Sequence, residues 1–131
     1  ATACYEAALS YAQQRVQFGK PLVKFQMVQE RLTQMLDELT AMQLYCRRMA
    51  DLETAGALRP TQASLAKYHN TRAARRIAQT ARDLMGGNGI LLENRVIQHM
   101  ADIEAIHTYE GTESVQALLI GRDVTGTGAF V

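Results

Sequence analysis

From Val28 to Met49 the apolar residues Val28, Leu32, Met35, Leu39, Met42, Cys46 and Met49 recur at alternating intervals of four and three. That repeat averages 3.5 residues, which keeps one stripe of a long helix facing a neighbour that lies nearly parallel to it. A chain with this stripe over about six turns is constrained to a helical bundle, because the stripe stays out of water only along another helix. The spacing predicts a helix from Met27 to near Gly56. Its methionines suit a plastic binding surface as well as a core, and at this spacing they read as core.

The other segments agree with that constraint. Ala3, Ala7, Ala8, Tyr11 and Ala12, with Leu9 at the flank, form an alanine-rich face running to about Val16, and small residues imply close packing. Phe18-Gly19-Lys20-Pro21-Leu22 breaks the pattern as a loop of defined shape. Pro60 or Thr61 opens a third helix through Ala63, Ala66, Ala73, Ile77, Ala81 and Leu84 to about Met85, antiparallel to the second. Gly86-Gly87-Asn88-Gly89 stops it. Shorter helical stretches follow around Val96 to Ala105 and from near Thr112. No segment shows the period-two alternation of a strand, so the expected fold is an all-α, up-and-down four-helix bundle over residues 1–131 as one domain. Helical composition already at Ala1, without a Met or a cap ahead of it, suggests a piece of a longer chain.

Charge adds little. Fourteen basic and thirteen acidic residues give a net +1, with no bias toward nucleic acid or an anionic membrane. Cys4 and Cys46 are too few for a disulfide framework; both fall in helical patterns, where a free thiol packs as a small hydrophobe. No apolar stretch approaches the roughly 20 residues of a membrane helix.

Candidate chemistry is sparse. Lys67, Arg72, Arg75, Arg76 and Arg82 make the third helix basic, a face to be solvated, paired at an interface or set against an anionic cofactor. His69, His99 and His107 share no zinc spacing with each other or with the cysteines, and no metal is expected. The glycine cluster is a helix stop that could also cradle a phosphate or carbonyl oxygen with its backbone N–H groups. Glu110, in Tyr109-Glu110-Gly111-Thr112, is a lone carboxylate just ahead of the apolar run Val115, Leu118, Leu119 and Ile120. It reads either as a helix start, with Thr112 capping, or as a base held at the lip of a cavity.

Three blocks in one order carry a resemblance over nearly the whole chain: Arg15-Val16-Gln17-Phe18-Gly19-Lys20-Pro21-Leu22 with Gln26, then Ala81-Arg82-Asp83-Leu84-Met85-Gly86-Gly87-Asn88-Gly89-Ile90, then Tyr109-Glu110-Gly111-Thr112. The chain resembles the carboxy-terminal helical domain of the acyl-CoA dehydrogenases. It is most similar to their glutaryl-CoA branch, through Ala-Arg-Asp before the glycines, Thr108 before Tyr109, and the ending Gly121-Arg122-Asp123-Val124-Thr125-Gly126 with Phe130. Many relatives carry Gln at Asp83.

The resemblance implies a three-domain flavoprotein in which FAD lies across a subunit boundary. It assigns Arg15 and Gln26 to the phosphate and adenosine parts of the cofactor on a neighbouring subunit. Asp83, Leu84, Met85, Gly86 and Gly87 would touch FAD from a partner chain, Thr112 would lie near the flavin of the chain's own site, and Phe130 would close against it. Glu110 becomes the catalytic base in a dry pocket and Gly111 contacts the acyl-CoA substrate. The implied reaction is α-proton abstraction with hydride transfer to flavin, followed in the glutaryl branch by decarboxylation to crotonyl-CoA. An electron-transfer flavoprotein as acceptor, a homotetramer, no nucleic-acid or membrane partner, and a cytoplasmic location in bacteria or the mitochondrial matrix in eukaryotes complete the expectation. Alternatives are a short-chain acyl-CoA dehydrogenase without decarboxylation and a non-catalytic oligomerisation module.

Overall fold

The alanine-rich start forms α1, Thr2–Gln14, in a computed structural model that describes residues 1–129. Cys4, Ala8 and Ala12, four apart on one face, are fully buried. They join Ile77, Ala78 and Ala81 in the main core, where small side chains bring helix backbones close together. α1 stops two residues earlier than its composition suggests, because Arg15 turns extended and Val16–Gln17 (β1) pairs antiparallel with Lys20–Pro21 (β2). Phe18 and Gly19 both have positive φ, at 51° and 75°, the conformation that closes a two-residue hairpin loop. This small hairpin was not visible to a period-two search, since each strand has only two residues.

A single 3₁₀ turn, Leu22–Lys24, leads into α2, Gln26–Thr54, the long seam helix. Leu32, Met35 and Leu39 are buried as the seam predicts, and Met42 packs at the margin of the core. The continuous core stops before Cys46, which is exposed and accepts a hydrogen bond from Asn70 Nδ2 at 3.4 Å. The expectation of a packed thiol therefore holds for Cys4 and fails for Cys46.

Five residues connect α2 to α3, Pro60–Leu84. Pro60 stands at the first helical position, where its missing N–H costs nothing, and the Arg59 N–H donates to Gln62 Oε1 at 2.9 Å. Glu38 pairs with Arg76 while Met42 pairs with Asn70, so partners descend one helix as they ascend the other and the two run antiparallel. α3 is the centre of the molecule and packs against α1, α2 and both later helices.

After α3 the chain makes two 3₁₀ turns, Gly86–Ile90 and Leu92–Asn94. α4, Val96–Thr108, and α5, Glu113–Thr125, then complete an all-α bundle. The described residues hold five α-helices where a four-helix bundle was expected, and the two shorter stretches expected at the end are separate helices joined by the Tyr109–Thr112 turn. The basic face of α3 is largely used internally: Arg72 pairs with Glu113, Arg75 with Glu104, Arg76 with Glu38 and Arg82 with Asp83. Among the described residues no helix is long and apolar enough to cross a membrane.

Candidate active site

Between α4 and α5 the backbone makes an uncommon turn. Tyr109 ends α4 in an extended conformation, Glu110 is left-handed at φ 55° and Gly111 follows at φ 89°. A left-handed non-glycine residue costs roughly 1–2 kcal/mol, and such a conformation persists only where the surroundings over-determine it. Here they do. Lys67 Nζ, from α3, donates to the Tyr109 carbonyl and, at 2.6 Å, to the Gly111 carbonyl. Gln116 Nε2, from α5, donates to the Glu110 carbonyl at 3.1 Å and to that of Gly111 at 3.2 Å. Gln116 is buried, and a Cβ on Gly111 would stand 2.6 Å from its Nε2, so any other residue there must displace this amide.

The helix-start duties at this junction are performed by other residues. Thr112 is the N-cap of α5 and its hydroxyl accepts from the Val115 N–H; the first-turn acid is Glu113, outside which Glu110 lies. Glu113 is held by Arg72 at 3.3 Å and by His107 Nε2 at 3.1 Å. The Thr71 hydroxyl gives its proton to the Lys67 carbonyl, and its oxygen stands 3.1 Å from His107 Nδ1. The Glu110 carboxylate has no such employment. Among the described residues neither that carboxylate nor the Glu110 N–H has a hydrogen-bond partner.

Glu110 is exposed, so the dry pocket expected around it is not closed by the described residues. Thr112 is exposed beside it and Gly111 is half-buried.

The expected cofactor residues gather at two other places. Arg15 caps the C-terminus of α1, its carbonyl accepts from the Leu22 N–H at 2.9 Å, and its exposed guanidinium has no ion pair among the described residues. Gln26, exposed, opens α2 eleven residues later, beyond the hairpin and the 3₁₀ turn. The glycine segment packs against α3, with Asn88 Nδ2 donating to the Tyr11 hydroxyl of α1 at 3.2 Å. Leu84 and Met85 turn their side chains into the core, so only their backbones remain to meet a ligand. Asp83 is exposed and paired with Arg82. Gly86 and Gly87 are exposed, with open space where side chains would lie. Gly89 differs: a Cβ there would lie 2.4 Å from the Arg82 carbonyl oxygen, so this glycine serves close packing rather than a cradle. Phe130 lies outside the described residues.

Sequence reading missed Lys67 and Gln116 as partners of this turn. Gln116 had a readable signal, a polar residue within the apolar run of α5 that must find hydrogen bonds once buried. Lys67 had none, because its role depends on how α3 lies against the last turn.

The family model for the acyl-CoA dehydrogenase C-terminal domain matches residues 1–125. A crystal structure of glutaryl-CoA dehydrogenase from Mycobacterium smegmatis superposes with a TM-score of 0.97 at 41% identity, covering 98% of this chain and 33% of that one. A glutaryl-CoA dehydrogenase from the same organism in complex with FADH2 gives 0.95 at 39% identity, with the same coverage of both chains. The 3-(aryl)acrylate reductase of Clostridium sporogenes (strain ATCC 15579) is 33% identical over 124 residues, 95% of this chain and 33% of that protein. The chain thus spans about a third of the length of these relatives. On this similarity of sequence and fold, the chain belongs to the acyl-CoA dehydrogenase family, as its carboxy-terminal domain.

Proposed function

We propose that this chain is the base-bearing domain of an FAD-dependent enzyme that oxidises glutaryl-CoA and decarboxylates the product to crotonyl-CoA. The observation that carries the reading is Glu110: braced on both sides, conformationally strained, and without a partner for its carboxylate or its N–H among the described residues.

The residues present fit a flavin dinucleotide. The exposed Arg15, with no ion pair among the described residues, offers a planar donor fork for pyrophosphate, with Gln26 opening the next long helix. Gly86 and Gly87 let backbone approach an anion, and Leu84 and Met85 contribute main chain alone. Asp83, already paired with Arg82, is the least suited of the expected contacts. The M. smegmatis complex with FADH2 supports the same cofactor here. Bound FAD would supply the acceptor for the hydride leaving the substrate β carbon.

This chain's own contribution is proton chemistry and orientation. The Glu110 carboxylate takes the α-proton, while its N–H donates to the thioester carbonyl, where negative charge develops as that proton leaves. The Gly111 backbone lies against the acyl chain, and Thr112 holds the start of α5 beside the flavin. After decarboxylation the protonated Glu110 returns its proton to the γ carbon. The rest of the parent protein closes the pocket and excludes water.

The 41% identity to the M. smegmatis glutaryl-CoA dehydrogenase, together with Asp83 in the Ala-Arg-Asp block, favours the decarboxylating branch over a short-chain dehydrogenase. A homotetramer with an electron-transfer flavoprotein as acceptor belongs to the same proposal. An apolar groove of about 410 Å³ lined by Leu44, Tyr45, Met49, Leu52 and Leu65 is in keeping with subunit contact.

Glu110→Gln in the full-length protein is the test. The variant is expected to keep its flavin and its fold but to lose bleaching of the flavin absorbance by glutaryl-CoA. Undiminished bleaching removes Glu110 from the role, and bleaching by the parent without release of carbon dioxide removes the decarboxylating branch.

A further inference from the structure

Lys67 and Glu110 are joined through one peptide plane. The Tyr109 carbonyl, which accepts from Lys67 Nζ, and the Glu110 N–H are opposite ends of the same planar unit. Whatever fixes that carbonyl therefore aims that N–H. The same ammonium also holds the Gly111 carbonyl at 2.6 Å, so one cation grips the backbone on both sides of Glu110.

A plainer role would be a cation at the C-terminus of α4, where Tyr109 is the cap. That role accounts for the Tyr109 bond but leaves the Gly111 bond unexplained, because Gly111 lies beyond the helix. It also leaves unexplained why a long, half-buried side chain is immobilised against a strained residue, at a cost in rotamer freedom.

We propose that Lys67 is a positioning residue for the reaction: it aims and polarises the Glu110 N–H toward the thioester oxygen while keeping the carboxylate beside the α carbon. The inference rests on the reading of Glu110 as the base. A cation on the oxygen end of an amide draws electron density toward itself and makes the N–H end a stronger donor. Gln116 complements this by holding the next peptide through the Glu110 carbonyl. The bracing residues lie on α3 and α5, so both reactive groups of Glu110 are referenced to rigid helices rather than to a loop.

The test compares Lys67→Met, which keeps the stem and removes the donors, with Lys67→Arg, two of whose five N–H groups can still span two carbonyls, in the full-length flavoprotein. With glutaryl-CoA, the single-turnover bleaching rate of Lys67→Met is expected to fall about 100-fold, the scale of one misaligned oxyanion donor. Its substrate Kd should change less than about threefold, and Lys67→Arg should recover to within about tenfold of the parent. Isotope-edited infrared spectra of bound crotonyl-CoA should show the thioester carbonyl stretch moving up in frequency in Lys67→Met, a signature that reduced stability alone does not produce. Parental bleaching per bound flavin together with an unmoved carbonyl band overturns the proposal. Should Lys67→Met fail to accumulate, Lys67→Leu, which also removes every donor, is read the same way, and a parental rate there is equally fatal. Glu110→Gln run alongside separates the two ideas: an active Glu110→Gln removes the base, whereas an inactive one beside fully active Lys67 variants removes only the positioning role.

Discussion

Gly111→Ala gives a sharp test of how the Tyr109–Thr112 turn is held. At φ 89° an alanine pays roughly 1–2 kcal/mol for a conformation that suits glycine. Its Cβ would stand 2.6 Å from Gln116 Nε2, inside any tolerable contact, so the amide must leave its place. That movement breaks the bonds to the Glu110 and Gly111 carbonyls, worth about 1 kcal/mol each when the amide is buried. The expected destabilisation is about 3–4 kcal/mol by these increments. Denaturant titration followed by far-UV circular dichroism measures it. The mechanism is isolated by repeating the substitution in a Gln116→Ala background, where only the backbone cost of about 1–2 kcal/mol should remain and the coupling should be about 2 kcal/mol. A loss under about 1 kcal/mol in the parent background, or no coupling to Gln116, would refute the reasoning.

Gly89→Ala should cost at least about 2 kcal/mol, because the new Cβ meets the Arg82 carbonyl oxygen at 2.4 Å and Arg82 Cα at 2.8 Å, backbone that cannot swing aside. Gly87→Ala, with nothing within 4 Å, is the matched control and should change stability by less than about 1 kcal/mol in the same titration. Maleimide under native conditions should label the exposed Cys46 and spare the buried Cys4, read by mass spectrometry. Burial pushes the Cys4 thiol above its ordinary value of 9.0. The folded state then keeps a proton that the unfolded state gives up, so this contribution is intact below about pH 9 and is lost as pH rises toward the folded value. Cys4→Ala should flatten that alkaline decline in unfolding free energy.

Much of the fold is written locally. The seam of α2, the Pro60 start of α3 and the glycine stop after Leu84 are read from spacing and single-residue chemistry, and each appears where it is expected. Cys46 is the instructive failure, because periodicity places it on the seam but says nothing about how far the partner surface extends. The arginines of α3 make the same point, since their carboxylate partners stand on α2, α4 and α5 as well as beside them.

For the site, the sequence alone determined that a carboxylate, a glycine and a capping threonine stand in order at a helix junction, and that this block accompanies two others in one family. Only the tertiary structure decided that Thr112 and Glu113 start the helix while Glu110 is left free, and that Leu84 and Met85 can offer backbone but not side chains. It also decided that Lys67, 42 residues before Tyr109 and 44 before Gly111, grips both flanking carbonyls. The reason is physical: helix periods and caps depend on neighbours within a turn or two, whereas the bracing of a strained peptide depends on which helices the packing brings alongside it.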